Sequence, residues 1–156
     1  MNVWRQLLAP KPKTRVGRTV GRTLLGAMLA FAGISHLTFA RVEFRDQVPE
    51  LLPVDPDVVV VGSGVAEIAL GAALVALPRH RVPVGLAVAL FFIAIFPGNI
   101  AQWLGGKDGF GLDTDAKRFV RLFFQPVLVL LALWSTAAWR DRPRLGARRG
   151  ASRSRR

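Results

Sequence analysis

The stretch VVVVGSGVAEIALGAALVAL, residues 58–77, decides how this chain folds. A helix of about 20 predominantly apolar residues spans a hydrocarbon core roughly 30 Å thick. This run has that length, and its single ionisable residue, Glu67, lies near the middle. A carboxylate at such depth costs on the order of 2.5–3.5 kcal/mol on insertion scales, so Glu67 is expected to face protein or water and to have a partner.

Working outward from it, three more apolar blocks of spanning length appear, at 19–40, 84–104 and 119–139. The expected fold is all-α: an integral membrane four-helix bundle over residues 19–139, with a basic segment 1–18 before it and a basic tail 140–156 after it. Arg22 lies close enough to the start of the first block to snorkel to the interface. Ala30-Phe31-Ala32 fits a small-residue cleavage site, but the apolar run continues to Ala40, which favours a span over a cleavable leader. Residues 41–57 carry Pro49, Pro53 and Pro56, which forbid a long helix. Val42, Phe44, Val48, Leu51 and Leu52 still offer apolar contacts there, so an ordered surface loop is expected. Residues 78–83 form a tight basic turn and 105–118 a Gly- and Asp-rich loop. The tail has no apolar periodicity and is expected to be disordered.

Composition agrees: 51% of the 156 residues are hydrophobic and the mean hydropathy is +0.34. The apolar residues come in unbroken blocks rather than with period 2 or 3.6, as membrane spans do. The absence of cysteine excludes disulfides, thiol redox chemistry, iron–sulfur ligation and cysteine-based zinc sites on this chain. The formal charge of +12 is distributed unevenly. With both termini cytoplasmic, Arg and Lys concentrate inside, while the outside loops hold five basic residues beside nearly all the acids. The expected location is the cell (inner) membrane, multi-pass. The basic excess then serves topology and contact with the lipid bilayer, and no specific nucleic-acid partner is implied.

Each block brings a polar residue toward the same outward half. At a rise of 1.5 Å per residue, His36 lies about 6 Å and Glu67 about 13 Å inside the outer ends of their helices. Asn99 and Gln102 lie within about 8 Å on the third helix, and Arg121 and Gln125 within about 9 Å on the fourth. These six make the candidate binding cluster. Ser63, Gly64 and Gly71 share one side of the second helix with Glu67, a small-residue stripe suited to close helix approach. Pro97 and Pro126 leave the carbonyls of Ile93 and Leu122 without their helical donors, which suggests a small hydrated cavity. Purely structural hydrogen bonds, at about 0.6 kcal/mol each, would also account for Asn99 and Gln102, and snorkelling would account for Arg121. Glu67 is too deep for that. It must be neutral or paired, with His36 and Arg121 as candidates.

Other chemistries are excluded by spacing. His80 lies in the basic turn, across the membrane from His36, so no bis-histidine haem site forms. His36 and Glu67 alone are too few ligands to assign a metal. No serine or cysteine nucleophile stands with a base. Asp108-Gly109-Phe110-Gly111 is a turn signal, and GSG at 62–64 is packing within a span rather than a dinucleotide fingerprint. With no haem, flavin, iron–sulfur or metal motif, the cofactor is left unassigned.

Five segments in order carry a family resemblance: AGISHLTFARVEF at 32–44, VPELLP at 48–53, SGVAEIALG at 63–71, FPGNI at 96–100 and RLFFQPV at 121–127. Together the chain resembles the DoxX-like membrane proteins over roughly residues 19–139. That resemblance implies a four-helix membrane bundle and carries over His36, Glu67, Pro97, Asn99, Arg121 and Gln125 as family-pattern positions. Gly98 stands where alanine is more usual. The family takes its name from a membrane subunit associated with thiosulfate:quinone oxidoreductase, and other members are linked with oxidative-stress complexes. Without cysteine or a haem or flavin motif, this chain is not expected to be a sulfur redox enzyme on its own.

The expected function is a small-molecule- or quinone-binding protein, or an accessory subunit of a membrane complex, with other membrane or peripheral subunits as partners. The alternatives are a redox-linked quinone oxidoreductase subunit, with His36 and Glu67 relaying protons, and a small transporter acting as a homo-oligomer. Four spans without an internal repeat are few for a transporter.

Overall fold

Residues 3–49 and 53–141 are described by the structure, a computed structural model. In chain order they form α1 (Val3–Leu8), α2 (Val16–Leu37), α3 (Arg41–Arg45), α4 (Pro56–Ala76), a 3-10 turn (Pro78–His80), α5 (Arg81–Leu104), α6 (Asp115–Ser135) and α7 (Ala138–Asp141). Every described element is helical. Four helices, α2, α4, α5 with its preceding turn, and α6, are long and apolar enough to cross a membrane.

The four long helices coincide with the four expected blocks, but their ends shift for local reasons. α4 starts at Pro56 because the Asp55 carboxylate accepts from the backbone N–H of Asp57 at 2.7 Å and proline suits the first helical position. α6 starts at Asp115, four residues before the expected 119. Thr114 caps it by accepting from Lys117 N at 3.3 Å, and Asp115 complements the helix dipole. It also stops at Ser135 rather than 139, because Ala137 turns into the left-handed region at φ 56° and hands Trp139 to α7. α2 runs from Val16 to Leu37, so part of the expected basic segment is helix and residues 38–40 are a turn. The loop expected over 41–57 contains the short helix α3. Pro97 and Pro126 lie within α5 and α6 without ending them. The expectation of a disordered tail concerns residues 142–156, which lie outside those described.

The long helices assemble as two pairs, α2 with α4 and α5 with α6. Glycines set the first pairing. A Cβ on Gly33 would lie 2.5 Å from the Gly64 carbonyl, and one on Gly71 would lie 2.5 Å from that of Gly26. Backbones this close gain dispersion contacts and weak Cα–H···O bonds, the usual source of helix association where lipid removes the hydrophobic drive. In the second pair, Gly85 makes room for the side chain of Thr136. The pairs meet through a core of Leu25, Leu29, Leu74, Val88, Phe92 and Ala132. Outside it, Phe31, Val65, Leu90, Ile93, Phe123 and Leu130 are exposed. An apolar girdle of this extent marks a surface covered by something other than water.

The molecule has two chemically different ends. At one, the α3 end, α3 meets the 105–114 loop, as Phe44 packs on Phe110 with ring centroids 4.6 Å apart. At the other, the α7 end, the N-terminal segment docks on the 3-10 turn through Lys11 N donating to Arg79 O at 2.8 Å. α7 is tied to α5 there by Arg81 Nη2 donating to Asp141 Oδ2 at 2.7 Å.

Candidate functional site

A cavity of about 640 Å3 lies between the two helix pairs toward the α3 end, with walls from α2, α3, α4, α5 and α6. His36, Glu67, Asn99, Arg121 and Gln125 all line it, as do Ser63 and Pro97. Five of the six residues of the candidate cluster therefore converge on one space. Most of the remaining lining is apolar, including Leu29, Val60, Phe92, Phe124 and Leu128.

Glu67 finds its partner on the neighbouring helix. His36 Nδ1 lies 2.7 Å from Glu67 Oε2, and both residues are about 5% exposed. The contact is possible because Gly33 and Gly64, one turn away on each helix, bring the α2 and α4 backbones together. Neither atom has another polar partner among the described residues. A buried carboxylate is tolerable when a counter-charge or shared proton sits this close, and strongly destabilising when it does not. Arg121, the other candidate partner, stays apart. Its guanidinium lies 6.0 Å over the ring of Phe110, and its Nε is buried without a hydrogen-bond partner among the described residues.

The second helix pair contributes a relay of amides. Asn99 Nδ2 donates to Gln125 Oε1 at 3.0 Å, and Gln125 Nε2 donates to the carbonyl of Phe92. The proline at position 97 was expected to leave the Ile93 carbonyl in need of a donor. The backbone oxygen taken up by Gln125 is that of Phe92, one residue earlier. Asn99 and Gln125 thus satisfy each other across α5 and α6, and this part of the cluster is structural as well as cavity-lining.

Gln102 shares their depth but not their space. It is 1% exposed and absent from the cavity wall, with its Nε2 beneath the 105–114 loop, 3.5 Å from where a Cβ on Gly109 would lie. Of the residues expected to be structural, Gly64 and Gly71 form the α2–α4 contact, and Ser63 Oγ donates to the Val60 carbonyl at 3.0 Å. Pro126 lies one residue beyond Gln125, is exposed, and does not line the cavity.

The structure adds residues that spacing did not single out. Phe44 of α3 packs edge-on against the His36 ring and continues to Phe110, so His36, Phe44, Phe110 and Arg121 form one contiguous series. Gln47, at 9% exposure, lines the cavity, and its Nε2 has no hydrogen-bond partner among the described residues. Its burial had no sequence signal, because α3 and its flanks are too short for a periodicity. Phe110 holds φ 54°, a left-handed conformation rare for a bulky residue. The GFG turn positions it, with Gly111 also at positive φ and Leu112 N donating to Gly109 O at 2.9 Å.

Comparison with known proteins places the chain in a family without assigning it a role. The family described as a domain of unknown function, DUF8561, matches residues 25–136, and the chain belongs to that family. No curated protein and no solved structure matches it.

Proposed function

We propose that this DUF8561 member is a multi-pass protein of the cell membrane, both termini cytoplasmic, whose outward-half cavity holds one small amphipathic molecule of the quinone-headgroup type, in the manner of a DoxX-like accessory subunit. The orientation rests on charge: the α7 end carries most of the Arg and Lys, and the α3 end carries most of the acids. The observation that carries the ligand assignment is a pair of buried donors without acceptors among the described residues, Gln47 Nε2 and Arg121 Nε, in a cavity otherwise mostly apolar. An unmet buried donor costs about 1–3 kcal/mol, which a bound acceptor recovers. A quinone ring offers two carbonyl acceptors, no donor, and an apolar body that suits the remaining walls. The His36–Glu67 pair beside it would hold a proton that a reduced headgroup could share.

The test is native mass spectrometry of the full chain purified in detergent, followed by thermal unfolding with added short-chain ubiquinone or menaquinone analogues. A single bound adduct and a raised Tm are expected. Arg121→Gln and Gln47→Leu should each weaken binding about tenfold, the equivalent of one buried hydrogen bond to ligand. Absence of both adduct and shift with every quinone tried would overturn the reading.

A further inference from the structure

The α7 end holds a second, differently built site. Arg22, expected to snorkel, is instead 5% exposed, and Arg81 is 2% exposed. Nε and Nη1 of both guanidiniums, together with Arg18 Nη1, are buried without hydrogen-bond partners among the described residues. The charges act on one another: Arg22 is within reach of Arg81, and Arg81 of Arg18 and Arg140. Among the described residues a single carboxylate answers them. Asp141 accepts from Arg81 Nη2 at 2.7 Å and is shared with Arg140 Nε at 2.8 Å.

The other described residues offer no further acid at this end. The other described acids lie in α3, in the loops after it and at 105–114, in the first turns of α4 and α6, and at Glu67. Buried cations left in such excess are costly unless an anion from outside joins them. Beside the cluster lies a groove of about 260 Å3, walled by Leu130, Leu133, Trp134 and Trp139 and edged by Arg18 and Arg140. The Arg18 guanidinium sits 5.9 Å over the Trp134 ring. Tryptophan and arginine at the end of an apolar helix is the arrangement found where headgroups meet acyl chains.

We propose that Arg18, Arg22, Arg81 and Arg140 bind the phosphate group of an anionic phospholipid of the adjoining leaflet, whose acyl chain lies in the Leu130–Trp134 groove. Guanidinium donors match phosphate oxygens in planar, paired geometry. The apolar groove argues for a lipid-borne phosphate over a soluble one. This site is separate from the cavity at the α3 end and does not depend on what occupies that cavity.

The experiment is a titration of the full chain in detergent with dioleoyl phosphatidylglycerol, dioleoyl phosphatidylcholine and inorganic phosphate, read by native mass spectrometry and thermal unfolding. Phosphatidylglycerol alone should be retained and should raise Tm. Arg22→Gln should weaken that binding about fivefold or more, while leaving the lipid-free Tm unchanged or higher, because it removes a repelled charge. Arg140→Gln, on the exposed side of α7, should also weaken binding without disturbing the core. Arg5→Gln, on exposed α1, should leave it unchanged. Equal binding of phosphatidylcholine, equal protection by inorganic phosphate, or lipid binding indifferent to Arg22 and Arg140 would each overturn the proposal.

Discussion

At the scale of single residues, His36 and Glu67 stabilise the protein only as a pair. Removing the imidazole leaves a buried carboxylate without compensation, a loss of about 3 kcal/mol by analogy with broken buried ion pairs. His36→Ala is therefore expected to lower unfolding free energy by about that much, and Glu67→Gln in the same chain should restore most of it. A double variant as unstable as the single one would separate the two residues energetically. Phe110 makes a different case. Its left-handed backbone costs about 1–2 kcal/mol that glycine would not incur, yet its ring bridges Phe44 and Arg121. Phe110→Gly should leave stability within about 1 kcal/mol of the parent. It should also speed release of any ligand bound in the cavity, seen as faster dissociation in detergent. The importance of Glu67 was legible in the sequence because a lone carboxylate in an apolar run has few explanations. Phe110 and Gln47 were not, since an αL turn and a short helix have no periodic signature.

At the scale of helices, the glycines distinguish contact from mere composition. Gly33→Ala would force a Cβ to 2.5 Å from the Gly64 carbonyl, and overpacking of this kind costs about 1–3 kcal/mol. Gly62→Ala, on the same helix as Gly64, meets nothing within 4 Å, and should be neutral or stabilising by up to about 1 kcal/mol from helix propensity. Unfolding of both variants in detergent checks the contrast; equal effects would mean that α2 and α4 do not meet along this stripe. The stripe on α4 could be read directly, because Gly64 and Gly71 fall on the face of Glu67. Its counterpart, Gly26 and Gly33 on α2, could be recognised as small residues but not matched in register. Depth arithmetic placed Gln102 beside Asn99, yet three residues of helical rotation turn it toward the 105–114 loop. Helix ends were displaced wherever a cap, such as Thr114, or a turn, such as Ala137, overrode the limit of the apolar run.

For the molecule as a whole, the number of long helices and the contrast between its ends were present in the sequence, while the pairing of the helices was not. The α7 end also carries a pH response. Hydrogen bonding to Arg140, reinforced by Arg81, holds the Asp141 carboxyl below the usual carboxylate range. Stabilisation from this group is therefore complete above its unfolded pKa of about 3.9 and is lost as pH falls through the lower folded value. The protection factors of the amides at residues 138–141 should fall on acidification below about pH 4, and Asp141→Asn should show low protection at all pH values without that step. A parent chain whose α7 stays protected in acid would remove Asp141 as the tether. The arrangement of polar contacts also bears on how the chain is made. His36–Glu67 lies wholly within α2–α4, and Asn99–Gln125–Phe92 wholly within α5–α6. In a chain inserted as proposed, helices leave the ribosome in order, and α2 and α4 can enter the bilayer as a hairpin with the carboxylate already matched, before α5 has been synthesised. The second hairpin likewise arrives with its amides satisfied. On the proposed membrane reading, biogenesis exposes no unmatched member of either contact to lipid, and the cavity first exists when two finished hairpins close on each other.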